Sequence, residues 1–455
     1  MNKFQLRTYL IVFLQAVALI GKAQNPIVQT KYTADPAPMV YHDTVFLYTG
    51  HDEDDATGYK MKDWLLYTST DMVNWTDHGA VASLKDLKWV TDDNGAWAAQ
   101  CIERNGKFYL YCPMPNAVGI GVLVSDSPYG PFKDPIGKPS IKNSMDDIDP
   151  TVLIDDDGQA YLYWGNPNLY YVKLNNDMIS YTGGIVKDAS MAKSKDHPDP
   201  FHYQEGPWAF KHNGRYYMAY ASTCCPEGIG YAMSNSPTGP WEYKGSIMDS
   251  DSRANGNHPG IIHYKGRWYL FGFNYAISQK LQSGHTERRS VCLEELTFNE
   301  DGTIRKLPFW SEEGVRQIKP LNPYQKIQAE TIAYSEGIKT EVAENPNTAL
   351  AKRVYATAAN EKNYIKVKGV DFANGASSVN VEVCSLKGGK IEIHTDNANG
   401  PLIASIIVDA AKKTGMWRTV TAPVKKTKGI HDLFFVFAGQ NNPVMFDWWK
   451  FNKAR

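Results

Sequence analysis

Four ionisable residues stand at the heads of apolar stretches: Asp35 in TADPAPMVYHD, Asp149 in DDIDPTVLIDDDG, Glu205 in YQEGPWAFKHNG and His258 in NGNHPGIIHYKG. Each lies eight or nine residues before the same kind of turn, and a fifth stretch, GAWAAQCIERNG, puts Trp97 at the equivalent point. Carboxylates brought together repel, so convergence needs a chemical reason. One is a metal cage. The other is an acid and base flanking a glycosidic bond, where one carboxyl protonates the leaving oxygen and the other activates water. A separation of about 6.5–9.5 Å gives the inverting course. Glu205 suits the acid, because Trp208 nearby and the like charge of Asp149 would raise its pKa. Asp35, farthest from a negative neighbour, suits the base.

The elements that would position these residues repeat. NGKFYLYCP at Gly106, DGQAYLYWG at Gly158, NGRYYMAYA at Gly214 and KGRWYLFGF at Gly266 share one pattern, and HDTVFLYTG has Asp43 in the glycine's place. The spacings are 63, 52, 56 and 52 residues. Each copy reads as a hairpin with a two-residue turn between apolar strands. All-strand units of about 50 residues indicate a β-propeller with one blade per repeat, here five, whose inner strands start around a common axis. The turn residues Asp155–Asp157 lie at the far end of their strand from Asp149 and are assigned no function.

YTADPAPMVYHDTVFLYTGHDE, DDIDPTVLIDDDGQAYLYWG and YQEGPWAFKHNGRYYMAYAS resemble the three catalytic segments of glycoside hydrolase family 43. The resemblance covers residues 28–320 and implies a five-bladed propeller that inverts configuration, with Asp35 as general base, Asp149 as the residue that orients and tunes the acid, and Glu205 as general acid. It further implies His258 on the axis, bound to calcium directly or through water, Arg289 in RRSVCLEEL as a substrate contact, and Trp97 lining the sugar pocket. Ala99 replaces the proline of the family's Trp-Ala-Pro segment. The bare residues leave open a structural role for His258 and a salt-bridged strand role for Arg289.

From Ile327 the texture changes to short alternating strands with Gly, Asn and Lys turns, as in IKVKGVDF, VNVEVCSL and KIEIHTD, which indicates a β-sandwich over residues 325–455. IQAE, YIKVKGVDFANGA, GIHDLFFVFAG and DWWKF resemble a family 6 carbohydrate-binding module. That resemblance implies a structural calcium held by Gln328, Glu330 and Asp447, and a sugar cleft between Tyr355 and Trp417. Met445 stands where the family often has an asparagine, a departure that weakens the cleft. At least one of Trp448 and Trp449 belongs to the core.

Composition bounds the partners. With 48 basic against 49 acidic residues, no nucleic-acid or acidic-polymer partner is indicated. An aromatic content of 12%, including 27 Tyr and 12 Trp, suits stacking on sugar rings as well as strands. Residues 1–23 read as a signal peptide: Lys3 and Arg7, an apolar run from Tyr9 to Ile20, then Gly21 and Ala23 before the cut. A periplasmic or secreted monomer without membrane insertion is expected. Six scattered cysteines make no disulfide framework, and Cys224-Cys225 reads as two free thiols in preference to a vicinal disulfide. The expected activity is exo-acting release of α-L-arabinofuranose or β-D-xylose from plant cell-wall polysaccharide, arabinoxylan or arabinan. An endo-arabinanase and a non-catalytic glycan-binding propeller are the alternatives.

Overall fold

The computed structural model describes residues 24–454, except 56, 115–118, 193–201, 224, 255–256, 282–286, 344–352 and 440–443. The expected signal peptide therefore lies outside the described residues, as does Cys224. Five antiparallel sheets follow one another along the chain, and their innermost hairpins are Thr33–Tyr41 with Thr44–His51, Gln100–Arg104 with Lys107–Pro113, Thr151–Ile154 with Ala160–Trp164, Tyr203–His212 with Arg215–Ser222, and Gly260–Tyr264 with Arg267–Asn274. These are the five blades of the propeller, each built on one repeated hairpin.

The turns explain the repeat. Asn105-Gly106, Asn213-Gly214 and Lys265-Gly266 all have φ between +48° and +79° at both central positions. That is the conformation whose twist matches paired strands, and it favours Asn-Gly. The ring is closed by the start of the chain. Ile27 N–H donates to Val291 O at 2.8 Å and the Asn25 side chain to Leu293 O at 3.1 Å, so residues 25–33 run along the last strand of blade five.

The second unit packs a sheet containing Arg353–Ala358, Ala376–Cys384 and Met445–Lys453 on a sheet containing Tyr364–Asp371, Gly389–Thr395 and Ile430–Ala438. Val381, Ile391, Phe435 and Trp449, all fully buried, form its core, while Trp448 is only half-buried. Trp449 is thus the core tryptophan of the pair.

The two units are joined by hydrogen-bonded structure. Thr331–Ile332 pairs with Trp75 and Thr76 and extends the sheet of blade one. Beside it, buried Asp77 accepts from Lys31 at 2.5 Å and from Thr340 Oγ1 at 2.6 Å. Burial works to raise the Asp77 carboxyl, but the Lys31 charge and these hydrogen bonds outweigh it and hold the group below its usual range. Asn74 and the Lys368 backbone exchange hydrogen bonds at 2.9 and 3.0 Å.

Candidate active site

Sequence places an X-Pro step at the head of four inner strands: Asp35-Pro36, Asp149-Pro150, Gly206-Pro207 and His258-Pro259. These residues line one small axial cavity together with Ala98, Ala99 and Gln100 of blade two. The backbone is irregular where the carboxylates sit. Asp35 and Asp149 have φ of +49° and +56°, and the register slips between Ala34 and Ala37 and on both sides of Glu205. A non-glycine residue in the left-handed region costs about 1–3 kcal/mol, strain that the surrounding blades must hold in place. Gly206, at φ +59°, meets a second demand, because a Cβ there would stand 2.8 Å from the His258 ring.

Asp35, Asp149 and His258 are buried and Glu205 is half-buried. The imidazole is the centre of the group: Nδ1 is 3.5 Å from Asp35 Oδ1, and Nε2 is 3.1 Å from Glu205 Oε1 and 3.9 Å from Asp149 Oδ2. Asp149 Oδ2 also accepts from Gly206 N–H at 3.1 Å. Burial disfavours an imidazolium here, but the charges of Asp149, Asp35 and Glu205 raise His258 to about 10. Asp149 is pushed up to about 7, first by burial and then by the charges of Glu205 and Asp35 against the pull of His258. Burial also lifts Asp35 above its usual value, opposed by Arg289 and His258.

Glu205 departs from expectation. Burial works to raise it, yet the hydrogen bond and charge of His258, the Arg289 charge and a hydrogen bond from Asn166 Nδ2 to Oε2 leave it below its usual value. Trp208, expected to raise it, is buried structure whose Nε1–H donates to Ile261 O at 2.8 Å and ties blade four to blade five. In the resting site the proton therefore favours Asp149 and His258 over Glu205.

Two residues that sequence reading passed over complete the site. Asp52 receives Arg289 through backbone N–H at 2.9 Å, Nε–H at 3.0 Å and Nη2–H at 2.9 Å, leaving Nη1–H to bind Asp35 at 2.9 Å. The guanidinium also faces the rings of Tyr59 and Phe273 at 5.1 and 5.2 Å. Arg289, expected as a substrate contact, is buried and spends most of its donors on the protein, so it orients Asp35. Asn166 is the second, held in turn by Gln204 Nε2–H at 2.9 Å. Asp52 is the next-to-last residue of the TGHDE stretch, where one acidic residue beside another carries no signal of its own; Asn166 sits in WGNPN, which reads as an ordinary turn. Trp97, adjoining the cavity-lining Ala98, is half-buried, with its carbonyl accepting from Trp64 Nε1–H at 2.7 Å and its own Nε1–H buried and unpaired.

The sequence profile for glycosyl hydrolases family 43 matches residues 23–304, and that for carbohydrate binding module family 6 matches residues 328–453. The chain belongs to glycosyl hydrolase family 43. As a member of that family it is a glycoside hydrolase, and it carries a C-terminal family 6 module. It is 32% identical to an arabinoxylan arabinofuranohydrolase of Bacillus subtilis, over 94% of this chain and 92% of that protein. A crystal structure of a family 43 arabinoxylan arabinofuranohydrolase from Bacillus subtilis, in complex with cellotetraose, matches with a TM-score of 0.82 at 31% identity, covering 95% of this chain and 99% of that one. A β-xylosidase/α-arabinofuranosidase from a compost metagenome, in complex with xylotriose and in calcium-free form, matches with a TM-score of 0.56 at 31% identity, covering 63% and 98%.

The module's expected ligands are only partly assembled. Tyr355 and Trp417 meet edge to face with centroids 5.7 Å apart, so the rings fill the slot expected between them. Arg353 stacks 4.6 Å from Trp417 and Tyr355 O–H donates to Glu341 at 2.6 Å. Gln328 is exposed, and Asp447 pairs with Arg353 at 3.1 Å. Glu330 is different: it is buried, its Oε2 has no hydrogen-bond partner among the described residues, and burial raises its pKa well above the usual range. That orphaned oxygen fits a cation ligand. On the propeller axis, His258 Nδ1 is likewise buried without a hydrogen-bond partner among the described residues, and the cavity of about 30 Å³ beside it has room for a water or an ion.

The cysteine expectation is corrected. Cys225 is disulfide-bonded, whereas Cys101, Cys112, Cys292 and Cys384 are buried free thiols.

Proposed function

We propose that the chain is an exo-acting, inverting glycosidase that removes α-L-arabinofuranosyl or β-D-xylosyl units from plant hemicellulose. The observation that carries the reading is the opposition of Asp35 and Glu205 across the His258 ring, with a different set of partners on each. Asp35, fixed by Arg289, takes a proton from the attacking water. Glu205, oriented by Asn166, gives one to the leaving oxygen. Asp149, lifted to about 7 and accepting from the Gly206 amide next to Glu205, orients the acid and tunes the charge around it. Trp97, half-buried beside the cavity-lining Ala98, offers a ring face to the bound sugar.

His258 would hold a calcium ion or its water on the axis, and Glu330 with Gln328 and Asp447 would hold one in the module. An axial cation, when bound, supplies positive charge beneath the carboxylates. Export to the periplasm or medium, guided by residues 1–23, fits a polymeric substrate outside the cell.

The test is incubation with arabinoxylan and with short xylo- and arabino-oligosaccharides, with and without added calcium, and identification of the products. Free arabinose or xylose released from the start supports the reading. Oligosaccharides with a rapid fall in viscosity would replace it with endo cleavage, and no release from any substrate would favour a binding role.

A further inference from the structure

Between the propeller and the sandwich lies a cleft of about 690 Å³, within the size range of carbohydrate-sized ligand sites. One wall comes from the loop after blade one's second strand, with His51, Glu53, Lys60 and Lys62; the other comes from Lys339 and Glu341 of the module. The first wall leads into the catalytic cup: Asp52, beside Glu53, grips Arg289, and Tyr59, beside Lys60, lies over the same guanidinium with 42% of its surface exposed. The second wall leads to the module's aromatic pair, since Glu341 accepts from Tyr355, whose ring rests on Trp417. The two walls are thus continuous along the chain with residues that hold the reacting carboxylates on one side and the aromatic pair on the other.

The lining is rich in charge but balanced. Lys62 pairs with Glu53 at 2.9 Å, Lys339 with Asp54 across the cleft at 2.7 Å, and Lys31 with Asp77 at 2.5 Å. Little net charge remains to select an ionic ligand. The more exposed pairs, Lys62–Glu53 and Lys339–Asp54, are weak and can turn their donors and acceptors toward hydroxyl groups, while Lys31 stays held by buried Asp77. These features suit a neutral polyhydroxylated chain.

We propose that this cleft is a distal binding site for the neutral pentosan main chain of a substrate whose terminal or branching sugar occupies the cup. The proposal rests on the hemicellulase reading, and its test separates the two. Lys339→Ala and, independently, Lys60→Ala would be compared with the parent on 4-nitrophenyl α-L-arabinofuranoside, on 4-nitrophenyl β-D-xyloside and on neutral arabinoxylan. Electrophoretic retardation in gels containing arabinoxylan would be measured alongside, with thermal midpoints confirming that each variant folds.

The expected result is unchanged kcat/KM on the aryl glycosides, a KM for arabinoxylan roughly five- to tenfold higher with kcat retained, and loss of retardation in the gel. Unchanged polymer KM and unchanged retardation in both variants would overturn the site. A parent inactive on every substrate but retarded, with retardation lost in the variants, would remove the hydrolase reading and leave the cleft standing.

Discussion

Asp35 and Glu205 face the same imidazole from opposite sides, and the chain holds them by different means. Asp35 is buried on a guanidinium that Asp52 fixes through two hydrogen bonds, with a third to the Arg289 backbone, so a full positive charge stands against it. Glu205 is half-buried, and one oxygen rests on the neutral amide of Asn166 while the other faces His258. Burial lifts the Asp35 carboxyl above its usual value, and the fixed Arg289 charge works against that lift in favour of the ionised form. Burial works to raise Glu205 as well, but the hydrogen bond and charge of His258 and the hydrogen bond of Asn166 hold it below its usual value. In the proposed mechanism this difference divides the base, Asp35, from the acid, Glu205.

The comparison breaks most severely at Asp35. Asp35→Asn removes the base and leaves Arg289 facing a neutral amide; kcat on aryl glycosides and on polymer should fall together by ~10³-fold or more. A much smaller loss on the aryl glycosides would mean that Asp35 acts at the leaving group. Arg289→Lys comes next, because a point charge cannot bridge Asp52 and Asp35 as the planar fork does. About a 10²-fold loss of kcat/KM on all substrates is expected, together with a lower thermal midpoint; an effect on KM alone would restore the substrate-contact role.

On the acid side, Asn166→Ala should cost about tenfold on natural linkages and less where the leaving group needs no proton, with Asn166→Gln recovering part of the loss. Asn166→Asp sharpens the contrast. A second carboxylate beside Glu205 favours its protonated form, so the basic limb of the pH profile should move to higher pH. An unmoved limb would mean that Asn166 has no hold on the acid. The smallest effect belongs to Gly206→Ala, whose methyl would press on His258 from a left-handed backbone. A midpoint lower by a few degrees, with a modest rate loss on both kinds of substrate, is expected.

The propeller was legible because its turns announce themselves: Asn105-Gly106 and Asn213-Gly214 can do little but reverse a strand, and their spacing gives the blades. The carboxylates were legible through those turns, since counting back from each reaches Asp35, Asp149 or Glu205. Asp52 and Asn166 were not, because each becomes functional only when its blade brings it to the axis; Asn166-Pro167 carries the signature of any surface turn. The pKa of Glu205 was misread because Trp208, its neighbour in sequence, bonds to blade five, while His258, distant in sequence, touches the carboxylate. In the module, Tyr355 and Trp417 were correctly paired as neighbours, but the contact between their rings depends on Arg353 and Glu341, whose placement no local pattern encodes.

The division of labour is tested most directly by Glu205→Gln, assayed on arabinoxylan and on aryl glycosides whose leaving groups span a range of acidity. The account predicts a loss of about 10²–10⁴-fold on arabinoxylan, shrinking steadily as the leaving group becomes more acidic, until a leaving group that needs no proton is cleaved at close to the parent rate. An equal loss across the whole series would contradict the assignment of Glu205 as the acid.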